Sequence, residues 1–242
     1  MNKKIIIIFI ITLFIGITFL PLVSSTDVDN KIQILKNLPD YFSWKDREGQ
    51  DWTTPAKDQA FPKYCGSCWA FAAVAALESM INIRADDPEL DMDLSEQYIL
   101  SCLSASGGCR GGNAKMAWWC IRDSGIPGND CNGIIPEHTF PYQADDDVPC
   151  SNKSEDWEDY LIPISDFGEL RLDGSTEVIE AIKSQIMETG PVVASMLVTN
   201  DFNAFGYAIH NPGEYYHYPG PVDGINHQVI IVGWRDDISI GN

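Results

Sequence analysis

The most regular hydrophobic pattern in the chain begins at Cys68. From there, apolar side chains recur at the three- and four-residue spacing of one helix face, at Trp69, Phe71, Val74, Leu77, Met80 and Ile81. Ala72, Ala73, Ala75 and Ala76 lie between them, and alanine both favours a helix and permits close contacts. The pattern therefore predicts a core helix with a cysteine in its first turn.

Three further segments combine a helical pattern with signals for a helix end, namely residues 94–102, 114–123 and 175–190. Ser95 and Ser175 are placed as N-caps of the first and last of these, because a serine hydroxyl accepts from an unpaired N–H of the first turn. Gly190-Pro191 ends the last segment.

Strand patterns come later in the chain. Runs rich in β-branched and aromatic residues predict strands at residues 191–198, 215–218 and 228–234. Helices thus dominate the first half and strands the second. We expect an α+β fold in which two lobes enclose a cleft.

The first 25 residues form a separate apolar segment. Lys3 and Lys4 precede a long apolar run, and Val23-Ser24-Ser25 offers small residues for cleavage. The pattern predicts a signal peptide, with an uncleaved membrane anchor as the alternative. In both cases residues 38–242, which follow a short connector at 26–37, face an oxidising space, and we expect a secreted or cell-surface protein.

Composition narrows the classes of partner. The chain has 242 residues and a net charge of −19, from 35 acidic and 16 basic residues. Such a surface repels nucleic acid, so we expect no nucleic-acid partner. Nothing in the sequence indicates a metal ion or an organic cofactor, and an acidic run at 145–147 lacks the alternating spacing of a calcium loop.

The chain has seven cysteines, which is an odd number for an exported protein. Six can pair and one is left over, and the count alone does not say which. Cys68 is chemically the best placed to react. At a helix N-terminus the unpaired N–H groups favour the thiolate, which is the nucleophilic form of the side chain.

The residues around Cys68 carry a family resemblance. Cys65-Gly66-Ser67-Cys68-Trp69-Ala70-Phe71 resembles the nucleophile motif of the papain (C1) family of cysteine peptidases. Gln59 upstream and Asn226-His227 downstream fit the same pattern, and the stretch from Leu38 to Lys45 resembles the start of the mature enzymes. The resemblance implies a papain-like fold, with a helical lobe at about 48–160 and a β lobe at about 161–242 that also takes up the N-terminal strand.

The resemblance also implies roles for individual residues. Cys68 would be the nucleophile, His227 its base, and Gln59 a donor to the oxyanion. Further residues that the resemblance places in contact with substrate are Gly66, Ser67, Trp69, Gly111, Gly112 and Asn226. The implied disulfides are Cys65–Cys109, Cys102–Cys150 and Cys120–Cys131, which leave Cys68 unpaired.

Three departures from the family accompany the resemblance. The sequence contains no Asn-Ser-Trp-Gly motif, which in the family orients the histidine, and Asn242 lacks the surrounding motif. We therefore expect the β lobe to be incomplete. The connector at 26–37 is too short for the family's helical pro-segment. A three-residue insertion, around Phe61-Pro62-Lys63, separates Gln59 from the motif.

Three functions follow as hypotheses. The leading one is a secreted, monomeric cysteine endopeptidase that cleaves protein or peptide substrates through an acyl-enzyme. The second is a catalytically impaired papain-like binding module or a truncated gene product. The third is a thiol–disulfide oxidoreductase that uses Cys65-Gly66-Ser67-Cys68, although no βαβ pattern surrounds this C-x-x-C motif.

Overall fold

The structure is a computed structural model. It describes residues 38–122, 133–170, 176–207, 215–217, 220 and 224–236. All of these lie in one compact unit, Leu38–Asn242. The predicted targeting segment at 1–25 and the connector at 26–37 lie outside the described residues.

Five α-helices occur in the described part of the chain: α1 at Cys68–Ala85, α2 at Glu96–Cys102, α3 at Ala114–Arg122, α4 at Thr176–Thr189 and α5 at Asn200–Tyr207. The first four confirm the predicted helices. Ser95 caps α2 as expected, because its hydroxyl accepts from the Tyr98 N–H at 3.0 Å. Ser175, the other predicted cap, lies outside the described residues, and α5 was not predicted.

The described strands form three antiparallel pairs, in which β1 (Tyr41–Ser43) pairs with β6 (Gly233–Arg235), β2 (Gly107–Gly108) with β3 (Gly111–Gly112), and β4 (Val192–Met196) with β5 (His227–Ile231). The predicted N-terminal strand is therefore present as β1. The predicted strand at 215–218 is wrong for its described residues, 215–217, which have no regular structure.

Helix α1 is the centre of the core. Trp69, Ala70, Ala73 and Val74 are fully or almost fully buried, and the helix packs against both α3 and β5. A helix covered on several sides needs apolar or small residues around most of its circumference, which explains its alanines. The first turn of α1, and with it Cys68, is consequently held in one place by the core.

Two disulfides tie the helical half together. Cys65 bonds to Cys109 and Cys102 bonds to Cys150, the pairs that the family resemblance implied. The first joins the residue three positions before Cys68 to the glycine-rich loop at 107–112. The expected Cys120–Cys131 pair cannot be placed, because Cys131 lies outside the described residues.

A buried charge cluster anchors the chain just before the insertion. The Lys57 ammonium lies 2.9 Å from Glu78, 3.0 Å from Glu96 and 2.7 Å from Asp93. It also donates to the Leu94 carbonyl at 3.2 Å. Glu78 and Glu96 are at most 1% exposed, so this lysine provides the positive charge and the hydrogen-bond donor that such buried acidic side chains need.

The same cluster shifts the proton affinity of its members. Burial raises the pKa of Glu96 to about 8, opposed by the charge of Lys57 and supported by the charges of Glu78 and Glu137. Burial alone would lower the pKa of Lys57, but the neighbouring carboxylates raise it above its ordinary value. The cluster is therefore built to hold the lysine charged and Glu96 protonated near neutral pH.

We expect Glu96→Gln to change how stability depends on pH. Between the ordinary pKa of glutamate, 4.5, and the folded value of about 8, the folded wild type binds the Glu96 proton more tightly than the unfolded chain. Its stability therefore falls as pH rises through this window, by up to about 1.4 kcal/mol per pH unit. Glutamine cannot titrate, so the free energy of unfolding of Glu96→Gln should rise relative to that of wild type as pH rises through the same window.

Denaturant unfolding at pH 5, 6.5 and 8 measures the difference in free energy of unfolding. Glu89→Gln, at an exposed glutamate, is the matched control. A constant difference between wild type and Glu96→Gln across the three pH values would contradict the assignment.

Candidate active site

Cys68 is the first residue of α1 and is only partly covered. Ser67 precedes it at the N-cap position but makes no side-chain cap, so the hydroxyl of this serine is directed elsewhere. The unpaired N–H groups of the first helical turn surround the thiol with a positive field. The predicted cysteine in the first turn of a core helix is thus confirmed.

His227 is the first residue of β5, and its imidazole lies beside the Cys68 thiol. Strand β5 pairs with β4 so that His227 lies opposite Met196, and β5 packs against α1. Asn226 extends the pairing by one residue: its backbone N–H donates to Met196 and its side chain makes two hydrogen bonds with the Val198 backbone. The backbone on the N-terminal side of His227 is therefore held rigidly.

Gln228 holds the other side of the histidine. Its side-chain oxygen accepts from the Ala114 N–H at the start of α3, at 3.1 Å, and its amide donates to the Ser195 hydroxyl at 3.0 Å. One side chain therefore links β5 to both α3 and β4. The sequence analysis did not identify Gln228 as a site residue. A single polar residue in an otherwise apolar strand was the signal that could have identified it.

Cys68 and His227 interact directly, and each shifts the pKa of the other. Burial raises the pKa of Cys68, but the hydrogen bond and charge of His227, together with the N–H groups of Gln228 and Trp69, lower it further than burial raises it. The hydrogen bond to Cys68 raises the pKa of His227 against the effect of burial. Because the two pKa values move towards each other, proton transfer from thiol to imidazole becomes more favourable.

Gln59 lies on the loop that leads to this thiol. Its backbone carbonyl accepts from the Tyr142 hydroxyl at 2.8 Å, while its side-chain amide makes no hydrogen bond to the described residues. The amide donors are thus free to meet an incoming oxygen. The insertion that follows Gln59 is exposed, with Phe61 72% and Tyr64 82% accessible.

The glycine-rich loop forms a small hairpin beside α1, in which Gly107 lies opposite Gly112 and Gly108 opposite Gly111. Gly111 and Gly112 are exposed, so the edge of β3 is open to an extended peptide. A Cβ atom added to Gly112 would lie 2.3 Å from the Trp69 ring and 2.6 Å from the Ser106 carbonyl. Glycine is therefore required at position 112 because a larger residue would clash with Trp69, and it also leaves the β3 edge accessible to a peptide.

Two of the predicted contact residues have their side chains inside the protein. Trp69 is 1% exposed and donates its indole N–H to the Gly108 carbonyl, so it supports the glycine loop from beneath. Ser67 is fully buried. Neither side chain presents a surface to a substrate, so a contact of either residue with substrate, which stays a prediction, would be made by its backbone. Gly66 donates its N–H to the Cys109 carbonyl at 2.8 Å, and its predicted contact with substrate stays a prediction.

The comparisons with known proteins agree with this arrangement. Residues 38–239 match the sequence profile described as "Papain family cysteine protease". The chain belongs to the papain family of cysteine proteases. Similar curated proteins of this family include cathepsin Z of Onchocerca volvulus, 27% identical over 85% of this chain, and cathepsin B-like cysteine proteinase 6 of Caenorhabditis elegans, 32% identical over 73%.

Solved structures show the same papain-like α+β fold. Digestive procathepsin L2 proteinase from Tenebrio molitor larval midgut matches with a TM-score of 0.59 and 26% identity, over 83% of this chain and 55% of that one. Procathepsin L 3 from the same tissue matches in fold, with a TM-score of 0.62 at 24% identity, over 82% of this chain and 56% of that one. Among the curated relatives, the chain spans 63% of the cathepsin Z and 50% of the C. elegans proteinase.

The structure also bears on the hypothesis of a thiol–disulfide oxidoreductase. Cys65 is buried in a disulfide with Cys109, so Cys65 and Cys68 do not form a redox pair. This argues against the oxidoreductase hypothesis. Asn242 lies outside the described residues.

We expect iodoacetamide to label Cys68 well below the pH at which it labels an ordinary thiol, because the pKa of this thiol is lowered mainly by His227. His227→Ala removes the hydrogen bond and the charge, and should move labelling towards the ordinary range near pH 8.5. The measurement is the alkylation rate from pH 4 to 9, with mass spectrometry to locate the label. His138→Ala, at an exposed histidine, is the control. Identical pH profiles for wild type and His227→Ala would show that the pair is not formed.

Proposed function

We propose that this papain-family chain is an exported cysteine endopeptidase that cleaves protein or peptide substrates. The observation that carries the proposal is the interaction between Cys68 and His227, with a lowered thiol pKa and a raised imidazole pKa. A binding module would have no need for mutually tuned nucleophile and base, so the non-catalytic alternative is not favoured.

In the proposed reaction the Cys68 thiolate attacks the carbonyl carbon of the scissile peptide bond. The carbonyl oxygen becomes an oxyanion, which accepts from the Cys68 backbone N–H and from the Gln59 side-chain amide. Collapse of this intermediate breaks the C–N bond. The leaving amine takes its proton from the His227 imidazolium, and the acyl group remains on sulfur as a thioester.

Water completes the cycle. Neutral His227 takes a proton from a water molecule, whose oxygen attacks the thioester carbonyl. The second tetrahedral intermediate uses the same two oxyanion donors. Its collapse releases the carboxylic acid and returns Cys68 as thiolate beside imidazolium, so all atoms and charges balance.

The exposed edge of β3 supports an extended substrate. A peptide laid along Gly111 and Gly112 can pair with their backbone groups as an added strand, because no side chain stands in the way. Recognition through main-chain atoms is indifferent to side-chain identity. This favours a broad range of unfolded or extended peptide segments over a single small molecule.

Export is supported by two observations. The apolar segment at 1–25 has the pattern of a secretory signal. The two disulfides, Cys65–Cys109 and Cys102–Cys150, belong to a protein of an oxidising compartment. The site of action would then be extracytoplasmic, in the medium or at the cell surface.

The proposal is tested with fluorescently labelled casein as a general substrate. Wild type should release labelled peptides, and Cys68→Ala should release none. A wild-type chain that is folded, alkylates rapidly at Cys68 and yet cleaves neither casein nor a peptide library would overturn the proposed function. Mapping of the cut sites by mass spectrometry then supplies a defined peptide for kinetics.

We expect Gln59→Ala to lower kcat on that peptide by about 10²–10³-fold, the usual loss for one oxyanion donor. KM should change little, because the interaction forms only as charge develops on the oxygen. Gln50→Ala, at an exposed glutamine, is the control. Equal kinetics for Gln59→Ala and Gln50→Ala would remove Gln59 from the oxyanion site.

A further inference from the structure

A chain of hydrogen bonds connects the two segments that carry the proposed oxyanion donors. The Tyr142 hydroxyl lies 2.8 Å from the Gln59 carbonyl oxygen and 2.6 Å from the Ser67 hydroxyl. A carbonyl can only accept, so the single phenol proton goes to Gln59. Ser67 must then donate its own proton to Tyr142. The order of donation is fixed: Ser67 to Tyr142 to Gln59.

Ser67 gives up another interaction to make this one. A serine at the N-cap usually accepts from the first helical turn, which typically stabilises the helix. Here Ser67 makes no such cap and is fully buried, with its hydroxyl directed to Tyr142. The Ser67 hydroxyl is therefore available to Tyr142 rather than to the first turn of α1.

Tyr142 is itself held firmly in place. Its ring packs edge-on against Phe71 in the first turn of α1, with ring centroids 4.8 Å apart. Its backbone N–H donates to the Glu137 carboxylate at 2.6 Å. Burial, with the negative charge of nearby carboxylates, raises the pKa of its hydroxyl, so the phenol keeps the proton that it donates.

Apart from this bridge, the Gln59 loop is held through residues next to Gln59: the Ala60 N–H donates to the Asp58 carboxylate, and Lys63 pairs with Asp145. A cavity of about 300 Å³ lies beside it, with Asp58, Phe61, Phe71 and Tyr142 in its wall, so apolar packing there is incomplete. Between Gln59 and Cys65 the chain is exposed. Lys57 anchors the loop two residues before Gln59. The Tyr142 hydroxyl is the contact that acts on Gln59 itself.

We propose that Tyr142 is a positioning residue for the oxyanion site, whose hydroxyl sets the placement of the Gln59 amide relative to the Cys68 N–H. The inference rests on the proposed function, because it assigns Tyr142 to the oxyanion role of Gln59. Tyr142 touches neither the substrate nor the reacting atoms, and it acts only through Gln59 and Ser67. An error of about 1 Å in such placement is enough to cost about 10²-fold in rate.

The test is Tyr142→Phe, which keeps the ring and its contact with Phe71 but removes the bridge. We expect kcat on the mapped peptide to fall about tenfold to 100-fold with KM little changed. The pH profile of Cys68 alkylation should stay as in wild type, since that reaction forms no oxyanion. Tyr160→Phe, which removes a phenol from a half-exposed tyrosine elsewhere, is the matched control.

A double-mutant cycle with Gln59→Ala separates positioning from a general structural role. If Tyr142 acts through Gln59, Tyr142→Phe has little further effect in the Gln59→Ala background, and the two losses are strongly non-additive. If the losses multiply, or if alkylation of Cys68 slows to the same extent as kcat, the inference is overturned. Ser67→Ala removes the hydroxyl that donates to Tyr142 and should also lower kcat.

Hydrogen exchange provides a readout that does not depend on activity. Tyr142→Phe should speed amide exchange in the segment 60–64 relative to wild type and Tyr160→Phe, because Gln59 loses its anchor. Unchanged exchange there would contradict the inference even in a chain that cleaves nothing. An inactive wild type with this exchange response would instead overturn the proposed function and leave the bridge confirmed.

Discussion

Glu78, a carboxylate buried in the middle of the core helix, constrains much of the helical half. It accepts from the Thr54 hydroxyl at 2.6 Å, from the Lys57 ammonium at 2.9 Å and from the Leu94 N–H at 2.7 Å. A buried charge is tolerated only when it is paired and hydrogen-bonded, so these three partners have to converge on one point of α1. Two segments, the one at Thr54 and Lys57 and the one at Leu94, are thereby drawn onto the helix that carries Cys68.

The contacts of Glu78 also affect the position of Gln59, because the residues that bind Glu78 are close to Gln59 in the chain. Lys57 is two residues from Gln59, and Leu94 directly precedes the cap of α2. The electrostatic requirement of Glu78 therefore brings Gln59 close to the helix that carries the nucleophile, while Tyr142 provides the fine adjustment. On the other side, Gln228 and Asn226 hold His227 by hydrogen bonds to α3, β4 and the backbone after β4. Burial of Glu78 thus sets the approximate position of the Gln59 segment, whereas directed hydrogen bonds set the positions of Gln59 and His227.

Sequence reasoning recovered the features that local physics determines. The helix from Cys68 follows from a run of apolar and alanine positions, and the Ser95 cap follows from a hydroxyl before the first turn. The approach of His227 to Cys68 followed from the family resemblance. In contrast, the Ser67–Tyr142–Gln59 bridge joins residues far apart in the chain, and no local pattern marks such a contact. No local pattern marks the burial of the Trp69 ring beneath the glycine loop either.

The errors in the β region have a similar origin. Tyr215 and Tyr216 have high strand propensity, yet Tyr216 packs against Phe202 and Phe205 of α5 and lies outside the described strands. Strand formation depends on a partner with free backbone groups, which propensity does not reveal. The continuous strand expected at 228–234 is likewise divided at Val232, whose carbonyl accepts from the Trp44 N–H. A long-range contact therefore decides where one strand ends and the next begins.

The packing of Gly112 on Trp69 limits how the specificity of this protein can diverge. No side chain fits at Gly112 unless the indole moves, and the indole belongs to the core of α1. The β3 edge that we propose meets the substrate backbone is therefore fixed by the requirements of folding. New preferences can arise only at positions whose side chains are not shared with the core, such as the exposed Phe61 and Tyr64. Selection on cleavage preference and selection on stability would thus act on different residues.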